Sequence, residues 1–219
     1  MPIITRQIIP EIKSRNCEGV ILVVSNPVDI LTYVAQKLSG FPENRVIGSG
    51  TVLDTARLKS RLGDHLDVDN RSVHAFIIGE HGDSELAAWS SATVSGVPLS
   101  TFCEMRGHFN HEESEANIQE MVKNSAYEII EKKHATYYGV AMAVRRICAA
   151  IIGDEKAILP VSSTMKGEYG IYGISLSMPA IVGENGVEEK IPISLDDDEV
   201  KKLKESADQL KKIAGELEL

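Results

Sequence analysis

The sequence predicts an α/β fold, in which a short parallel sheet is followed by a region of mixed helices and strands. The first observation is that patterns typical of helix and of strand alternate over residues 1–50. The second is a run of five successive apolar residues at 20–24, which is typical of a strand buried on both faces of a parallel sheet. The third is a change of pattern near residue 50. We therefore expect one domain over residues 1–49 and another over residues 50–219.

The first domain begins with apolar residues at helical spacing. The strand at 20–24 ends in Ser-Asn-Pro, and the amphipathic segment "DILTYVAQKLSG" then predicts a helix that Gly40 ends. A second short strand, "RVIGSG", follows. The next segment, residues 51–65, is again amphipathic. It carries Asp54 and Arg57 three residues apart, so we expect a carboxylate and a guanidinium side by side on one helix face.

The second domain combines strands and helices. We expect a strand at "RSVHAFIIG", long helices over residues 112–131 and 135–152, and three strands at "AILPVSSTM", "GISLSMPAIVG" and "VEEKIPI". The letters "ENG" at 184–186 predict a hairpin turn between the last two strands. A charged amphipathic helix closes the chain over about residues 197–217, and its acidic start at 196–199 suits the positive end of the helix dipole.

Composition excludes several classes of protein. The chain has a formal net charge of −9 and no basic stripe, which argues against a nucleic-acid partner. Its three cysteines show no metal-ligand spacing, so we expect no structural disulfide, no metal site and a reducing, cytoplasmic location. No stretch approaches the roughly 18 apolar residues of a membrane span, and the first ten residues do not resemble an export signal. We therefore expect no membrane partner.

Polar residues that follow two predicted strands, or lie on the adjoining helix, could form one site. Asn26 follows the first strand, Asp54 and Arg57 lie on the helix at 51–65, and His81 follows "AFIIG". Arginine binds carboxylates through its planar fork, and a histidine oriented by an aspartate can exchange a proton near neutral pH. Together these groups suit a small 2-hydroxy or 2-keto acid.

Each of these residues also has an ordinary structural interpretation when it is taken alone. A histidine in a turn with glycine is usually a surface residue, Asn-Pro is usually a turn, and an aspartate and an arginine on one helix usually form a weak ion pair. The order and spacing of the four residues together favour a site. Thr136, in "HATYYG", is explained equally well as a helix cap or a packing residue.

The segments that carry these residues resemble the signature segments of the L-lactate dehydrogenase family. They are "VSNPVDILTY", "GSGTVLDTARL", "IIGEHGDSE" and "ATYYGVAMA", in the same order and at similar spacing. The similarity extends over nearly the whole chain. It implies an NAD-dependent oxidoreductase that interconverts pyruvate and L-lactate, as in pyruvate fermentation. Malate dehydrogenases share the Asn-Pro, Asp-x-x-Arg and His-Gly features and are the alternative, although "NPVDILTY" and "GEHGDSE" are closer to lactate dehydrogenases.

The resemblance also implies a role for each matched residue. His81 is similar to the proton donor and acceptor of the family, Asp54 to the carboxylate that orients it, and Arg57 to the residue that binds the substrate carboxylate. Asn26 is implied to contact the substrate and the nicotinamide, and Thr136 to form part of the substrate pocket.

Two further binding regions and an assembly state are implied by the same resemblance. Val24 and Ser25, with Asn26, are implied to lie along NAD. Lys59 and His74 match an arginine and a histidine that bind the activator fructose 1,6-bisphosphate at a subunit interface in many bacterial relatives; lysine keeps the charge but lacks the bidentate fork. The family forms dimers and tetramers, so we expect a homo-oligomer.

Part of the family pattern is not found in the 219 residues. A Rossmann-type domain ordinarily carries a G-x-G-x-x-G turn that binds the dinucleotide phosphates, and the nearest glycine pair here, "GSGTVL", lacks the third glycine. The family's mobile loop, with its substrate-polarising arginine, is not found either. We therefore expect residues 1–49 to be the C-terminal part of a Rossmann domain and residues 50–219 to be the substrate domain. We also expect the chain alone to bind NAD weakly and to turn over little or no substrate, and the alternative is a catalytically silent module that only oligomerises.

Overall fold

The computed structural model describes residues 2–134 and 136–217 of the chain. The α-helices within these residues are α1 (Pro2–Ser14), α2 (Val28–Ser39), α3 (Val52–Leu66), α4 (Leu99–Met105), α5 (His111–Lys133), α6 (Tyr138–Ile152) and α7 (Asp197–Gly215). The strands are β1 (Ile21–Val23), β2 (Val46–Gly48), β3 (Val73–His74), β4 (Ile77–Ile78), β5 (Leu86–Ala87), β6 (Thr93–Val94), β7 (Val97–Pro98), β8 (Ala157–Lys166), β9 (Tyr172–Gly183) and β10 (Gly186–Lys190).

The largest sheet has five strands, in the order β1, β2, β8, β9 and β10. β1 and β2 are parallel, with Leu22 opposite Ile47. β2 meets β8 in antiparallel orientation through one pair, Gly48 and Ser162, and β9 and β10 continue the antiparallel pattern. One sheet therefore contains strands from both predicted domains. The predicted α/β class is confirmed, as are the three late strands and the hairpin turn between β9 and β10.

The burial of β1 differs from the prediction. Residues 20–24 are half-buried, whereas the apolar run predicts a strand buried on both faces. The reason is that β1 is an edge strand, whose partner in the described part of the chain is β2. An edge strand presents unpaired backbone groups that can pair with another chain.

The central core lies between the sheet and two helices. α2 contributes Ile30 and Val34, which pack against β9 and α7. The buried stripe of α7 consists of Leu203, Ala207, Leu210 and Ala214. Ile213, which the amphipathic pattern places in the same stripe, is 44% exposed. The stripe is therefore narrower than the sequence predicts.

The start of α7 agrees with its acidic sequence. The Asp196 carboxylate accepts a hydrogen bond from the backbone N–H of Glu199 at 2.8 Å, and the Glu199 carboxylate accepts one from the Asp196 N–H at 3.0 Å. This capping box satisfies amide groups that the helix itself leaves without partners. Glu199 also accepts the N–H of Ser90 at 3.0 Å, which joins α7 to the segment before β6.

The segment "RSVHAFIIG" forms two short strands in different sheets, and the prediction of one strand is wrong. β3 pairs with β6, and β4 pairs with β5. β4 leads into Gly79, which has a φ of +91° and exchanges backbone hydrogen bonds with Ser177 of β9. A side chain at Gly79 would also lie 3.2 Å from atoms of Leu86 and Ser206. Glycine is therefore required where the chain turns toward His81.

Two helical regions also differ from the sequence predictions. No helix is predicted at α4. The second long helix is predicted from residue 135, which lies outside the described residues, whereas residues 136 and 137 are not helical and α6 begins at Tyr138. Tyr127, Tyr137 and Tyr138 suit the core or a subunit interface by their helical positions, but they are 61%, 68% and 81% exposed. Of the two predicted alternatives the core is therefore excluded, and a place at a subunit interface stays a prediction. Among the described helices, none is both long and apolar enough to cross a membrane.

Candidate active site

The turn after β4 places His81 against the first turn of α3. His81 Nδ1 lies 2.7 Å from Oδ2 of Asp54, and the Asp54 residue is only 3% exposed. This contact occupies Nδ1 of the imidazole. Nε2 is therefore the nitrogen that can exchange a proton with a bound molecule.

The carboxylate of Asp54 also holds Arg57. Arg57 Nη1 donates a hydrogen bond to Oδ1 of Asp54 at 3.0 Å, so the ion pair expected from the helical spacing is present. The Arg57 side chain is 16% exposed. A guanidinium has five N–H donors in one plane, so Arg57 keeps donors for a second carboxylate. One buried carboxylate thus fixes both an imidazole and a guanidinium.

A cavity of about 230 Å³ opens beside these groups. Its walls come from the loop after β1, from α3, from the turn after β4 and from α5. The lining residues are Asn26, Asp54, Arg57, His81, Gly82, Asp83, Glu85, Lys123 and Tyr127. The cavity therefore brings together Asn26, Asp54, Arg57 and His81, the four residues whose order and spacing predict one site.

Other predicted residues lie around this cavity rather than in its lining. Val24 is half-buried and Ser25 is exposed, and they connect β1 to Asn26 at the cavity wall. Thr136 is half-buried between α5 and α6 and is not among the described residues that line the cavity. Its neighbour Ala135, the first residue of "ATYYGVAMA", lies outside the described residues. A role for Thr136 in the substrate pocket stays a prediction.

Lys59 and His74 line a second and larger cavity of about 530 Å³. Its walls are mostly apolar, and Arg146 adds a further basic side chain. His74 is exposed, whereas Lys59 is half-buried, and burial lowers the pKa of the Lys59 ammonium. The structure therefore brings these two residues together, at a cavity separate from that of His81.

Two residues of α5 at the smaller cavity were not identified from the sequence. Lys123 Nζ donates a hydrogen bond to the backbone oxygen of Asp83 at 2.9 Å, and Tyr127 Oη lies 3.4 Å from Oδ1 of the same residue. These contacts attach α5 to the turn that carries His81. No sequence pattern marks Lys123 as a site residue, and the helical position of Tyr127 indicates only the core or a subunit interface.

The surroundings of His81 favour its protonated form. Burial lowers the pKa of the imidazole, but the hydrogen bond and the negative charge of Asp54 outweigh this effect, with smaller contributions from Asp29 and Glu85, so the pKa is raised overall. His81 therefore stays protonated to higher pH than an ordinary histidine. A protonated imidazole is the form that can donate a proton to a carbonyl oxygen.

Glu85 is a second buried acid at the cavity, and no sequence pattern predicts a role for it. It is 5% exposed, and burial, together with the charge of Asp54, raises its pKa to about 8. Ligand atoms of Asp54, His81 and Glu85 lie within 4.8 Å of one another, a spacing that a metal ion could occupy. Arg57 and Lys123 line the same cavity, and their positive charges oppose a cation there.

We expect the variant Glu85→Gln to make folding stability less dependent on pH. The pKa of Glu85 is about 8 in the folded chain and 4.5 ordinarily, so its carboxyl stabilises the folded state below about pH 4.5, and this contribution is lost as the pH rises through 8. Glutamine does not ionise. Urea unfolding at about pH 6 and about pH 9 should therefore show a smaller loss of stability in the variant, by about 1 kcal/mol or more. The exposed acid Asp64 on α3 provides the control variant Asp64→Asn. An equal loss in wild type and Glu85→Gln would contradict the burial effect.

Comparison with known proteins finds similarity over nearly the whole chain. Residues 51–218 match the lactate/malate dehydrogenase α/β C-terminal domain, and residues 2–48 match the NAD binding domain of lactate/malate dehydrogenase. The L-lactate dehydrogenase of Acetivibrio thermocellus is 52% identical over 214 residues, which are 98% of this chain and 68% of the relative. L-lactate dehydrogenase 1 of Clostridium acetobutylicum is 50% identical over 208 residues, which are 95% of this chain and 66% of the relative.

A solved structure shows the same fold. The crystal structure of the minor L-lactate dehydrogenase from Enterococcus mundtii, in its ligand-bound form, superposes with a TM-score of 0.95 at 46% identity, and the match covers 100% of this chain and 69% of the other. The chain thus spans about two thirds of the length of the relatives it matches. These matches agree with the resemblance of its four signature segments. By sequence and by fold, the chain is a member of the lactate/malate dehydrogenase family.

Proposed function

We propose that the protein is an NAD-dependent oxidoreductase that interconverts pyruvate and L-lactate. The observation that carries this proposal is the contact of one buried carboxylate, Asp54, with both His81 and Arg57. A proton-transfer group and a carboxylate-binding group thereby face one cavity, as the reduction of a 2-keto acid requires. The relatives named above are L-lactate dehydrogenases, which supports lactate over malate.

The residues at the cavity act on different parts of the substrate. Arg57 binds the substrate carboxylate through the guanidinium donors that Asp54 leaves available. This orients the keto oxygen toward Nε2 of His81, which donates its proton to that oxygen as the carbonyl carbon is reduced. Asp54 stabilises the imidazolium before the transfer. In lactate oxidation the neutral imidazole accepts the hydroxyl proton instead.

The residues after β1 fit the nicotinamide end of NAD. Val24 and Ser25 lead to Asn26, whose side-chain amide is exposed at the cavity that His81 lines. NADH held beside these residues would supply the hydride for the carbonyl carbon. On the basis of the family resemblance we assign Val24, Ser25 and Asn26 as cofactor contacts, and the place of Asn26 in the lining of the His81 cavity supports this assignment.

We propose five further properties on the basis of the family. Residues 1–49 form the C-terminal part of the NAD-binding domain and residues 50–219 the substrate domain. The protein acts in the cytoplasm as a homo-oligomer, a dimer or a tetramer. Thr136 contributes to the substrate pocket. Lys59 and His74 bind a phosphorylated activator such as fructose 1,6-bisphosphate, and their shared cavity with Arg146 supports an anion there.

The experiment that tests the proposed reaction is NADH oxidation by pyruvate. The purified chain is assayed alone and after mixing with the N-terminal fragment of the Acetivibrio thermocellus relative. We expect little turnover by the chain alone and pyruvate-dependent turnover in the mixture. A higher rate with oxaloacetate would favour malate dehydrogenase. No turnover in either sample, from a chain shown to be folded, would favour a silent oligomerisation module.

Asp54→Asn is expected to lower the pKa of His81 and the rate together. The amide keeps the size of the side chain but removes the charge that favours the imidazolium. We expect a loss of about 10- to 100-fold in the rate of pyruvate reduction at neutral pH, as for a weakened general acid. NMR titration of the histidine rings measures the pKa change directly. An unchanged His81 pKa would contradict the role of Asp54.

A further inference from the structure

Asp29 is a buried acid beside the site that the proposed reaction does not use. It lies in the first turn of α2 and is 1% exposed. Its Oδ1 accepts a hydrogen bond from Ser162 Oγ at 2.5 Å and lies 3.5 Å from Ser177 Oγ. Its Oδ2 accepts the backbone N–H of His81 at 2.7 Å. A buried carboxylate is unfavourable unless it is hydrogen-bonded, and these contacts supply its partners.

The contacts of Asp29 connect the turn that carries His81 to the centre of the large sheet. Ser162 and Ser177 are fully buried on the neighbouring strands β8 and β9. Ser177 also exchanges backbone hydrogen bonds with Gly79 at 2.9 and 3.0 Å, two residues before His81. His81 is therefore held twice, with its backbone bound to Asp29 of α2 and its ring bound to Asp54 of α3.

We propose that Asp29 is a positioning residue for His81, which fixes the backbone of the turn through the His81 amide and adds a negative charge beside the imidazole. The catalytic meaning of this inference rests on the proposed function, whereas the contact itself does not. The hydrogen bond to the His81 amide and the negative charge of Asp29 can be separated by substitution. An asparagine can still accept the amide hydrogen bond but has no charge, and an alanine has neither.

Several charged groups besides Asp29 act on the His81 ring. Asp54 of α3 is bonded to it and favours the imidazolium. Glu85 lies farther along the same turn and adds a negative charge only as it ionises, at about pH 8. Arg57 of α3 and Lys123 of α5 line the same cavity and oppose the imidazolium. Asp29 is distinct in acting through the backbone as well.

The ionisation of Asp29 has its own pH range. Burial raises its pKa to about 6, against hydrogen bonds from Ser162 and the His81 amide that lower it, and the charge of Glu80 adds to the rise. Asp29 is therefore charged at neutral pH. The effect of this charge on His81 is therefore measured above pH 6, where most of Asp29 is ionised.

The test is a proton NMR titration of the histidine rings in wild type, Asp29→Asn and Asp29→Ala, with Asp64→Asn as a matched surface control. The His81 signals are assigned by their loss in His81→Gln. We expect a lower His81 pKa in both Asp29 variants and an unchanged one in the control. We also expect the His81 amide to exchange slowly in wild type and Asp29→Asn, and rapidly in Asp29→Ala. A wild-type His81 pKa in Asp29→Asn would overturn the proposal, and that variant decides the matter if Asp29→Ala does not fold.

Kinetics separate this inference from the proposed function. In the active mixture, Asp29→Ala should lower kcat about tenfold or more, as expected for a misplaced acid–base group, and leave the KM for pyruvate nearly unchanged, because Arg57 is not moved. A mixture without turnover, but with a lowered His81 pKa in Asp29→Asn, would reject the proposed function and keep the contact. Turnover by the mixture, with an unchanged His81 pKa in Asp29→Asn, would support the proposed function and overturn the role of Asp29.

Discussion

Replacing His81 with alanine is expected to lower the rate of NADH oxidation by pyruvate by about 10²- to 10⁴-fold, the usual contribution of general acid–base catalysis. The imidazole lines the cavity and is held by a buried carboxylate. Alanine removes the donor and leaves Arg57 in place. The KM for pyruvate should therefore change much less than kcat.

The control for His81→Ala is another histidine in a different part of the molecule. His108 lies 4.4 Å from His65, measured between ring centroids, and lines cavities that His81 does not reach. His108→Ala should keep the wild-type rate. If His81→Ala also kept it, within about twofold, another group would have to donate the proton and the assignment of His81 would be wrong.

Replacing Arg57 with lysine is expected to raise the KM for pyruvate by about 10- to 100-fold, because one charge-assisted hydrogen bond of about 1.5 to 3 kcal/mol is lost with the planar fork. Lysine keeps the positive charge beside Asp54, so the change isolates the geometry of carboxylate binding. Steady-state kinetics of the active mixture measure KM and kcat separately.

Arg71 supplies the matched control for Arg57. It pairs with Asp69 in an exposed ion pair, and its side chain is 87% exposed. Arg71→Lys makes the same chemical change outside the cavity and should leave KM unaltered. A wild-type KM in Arg57→Lys would show that the substrate carboxylate binds elsewhere.

Local sequence patterns predict most of the helices and the last three strands correctly, because the 3.6-residue and two-residue repeats are properties of short segments. The predictions that failed depend on neighbours distant in sequence. The burial of β1 is set by its place at the sheet edge, and the division of "RSVHAFIIG" into β3 and β4 is set by their different partners. Neither fact can be obtained from the periodicity of the segment itself.

The contacts within the candidate site can also be predicted from the sequence only in part. Asp54 and Arg57 are three residues apart on one helix, so their ion pair follows from spacing alone. The contact of Asp54 with His81 was implied by the order of family motifs. The bond from the His81 amide to Asp29 joins residues 52 positions apart through a backbone atom, and neither motif nor periodicity indicates it.

The most direct test of the proposed proton transfer is the pH dependence of pyruvate reduction by the chain mixed with the N-terminal fragment, in wild type and Asp54→Asn. His81 must be protonated to act as the acid, and its pKa is raised by Asp54 against the effect of burial. We expect wild-type activity to persist above the ordinary histidine pKa and to fall at higher pH, and the fall to occur at lower pH in Asp54→Asn. The same pH profile in both proteins, or no activity from a folded mixture, would contradict the assignment of His81 and Asp54.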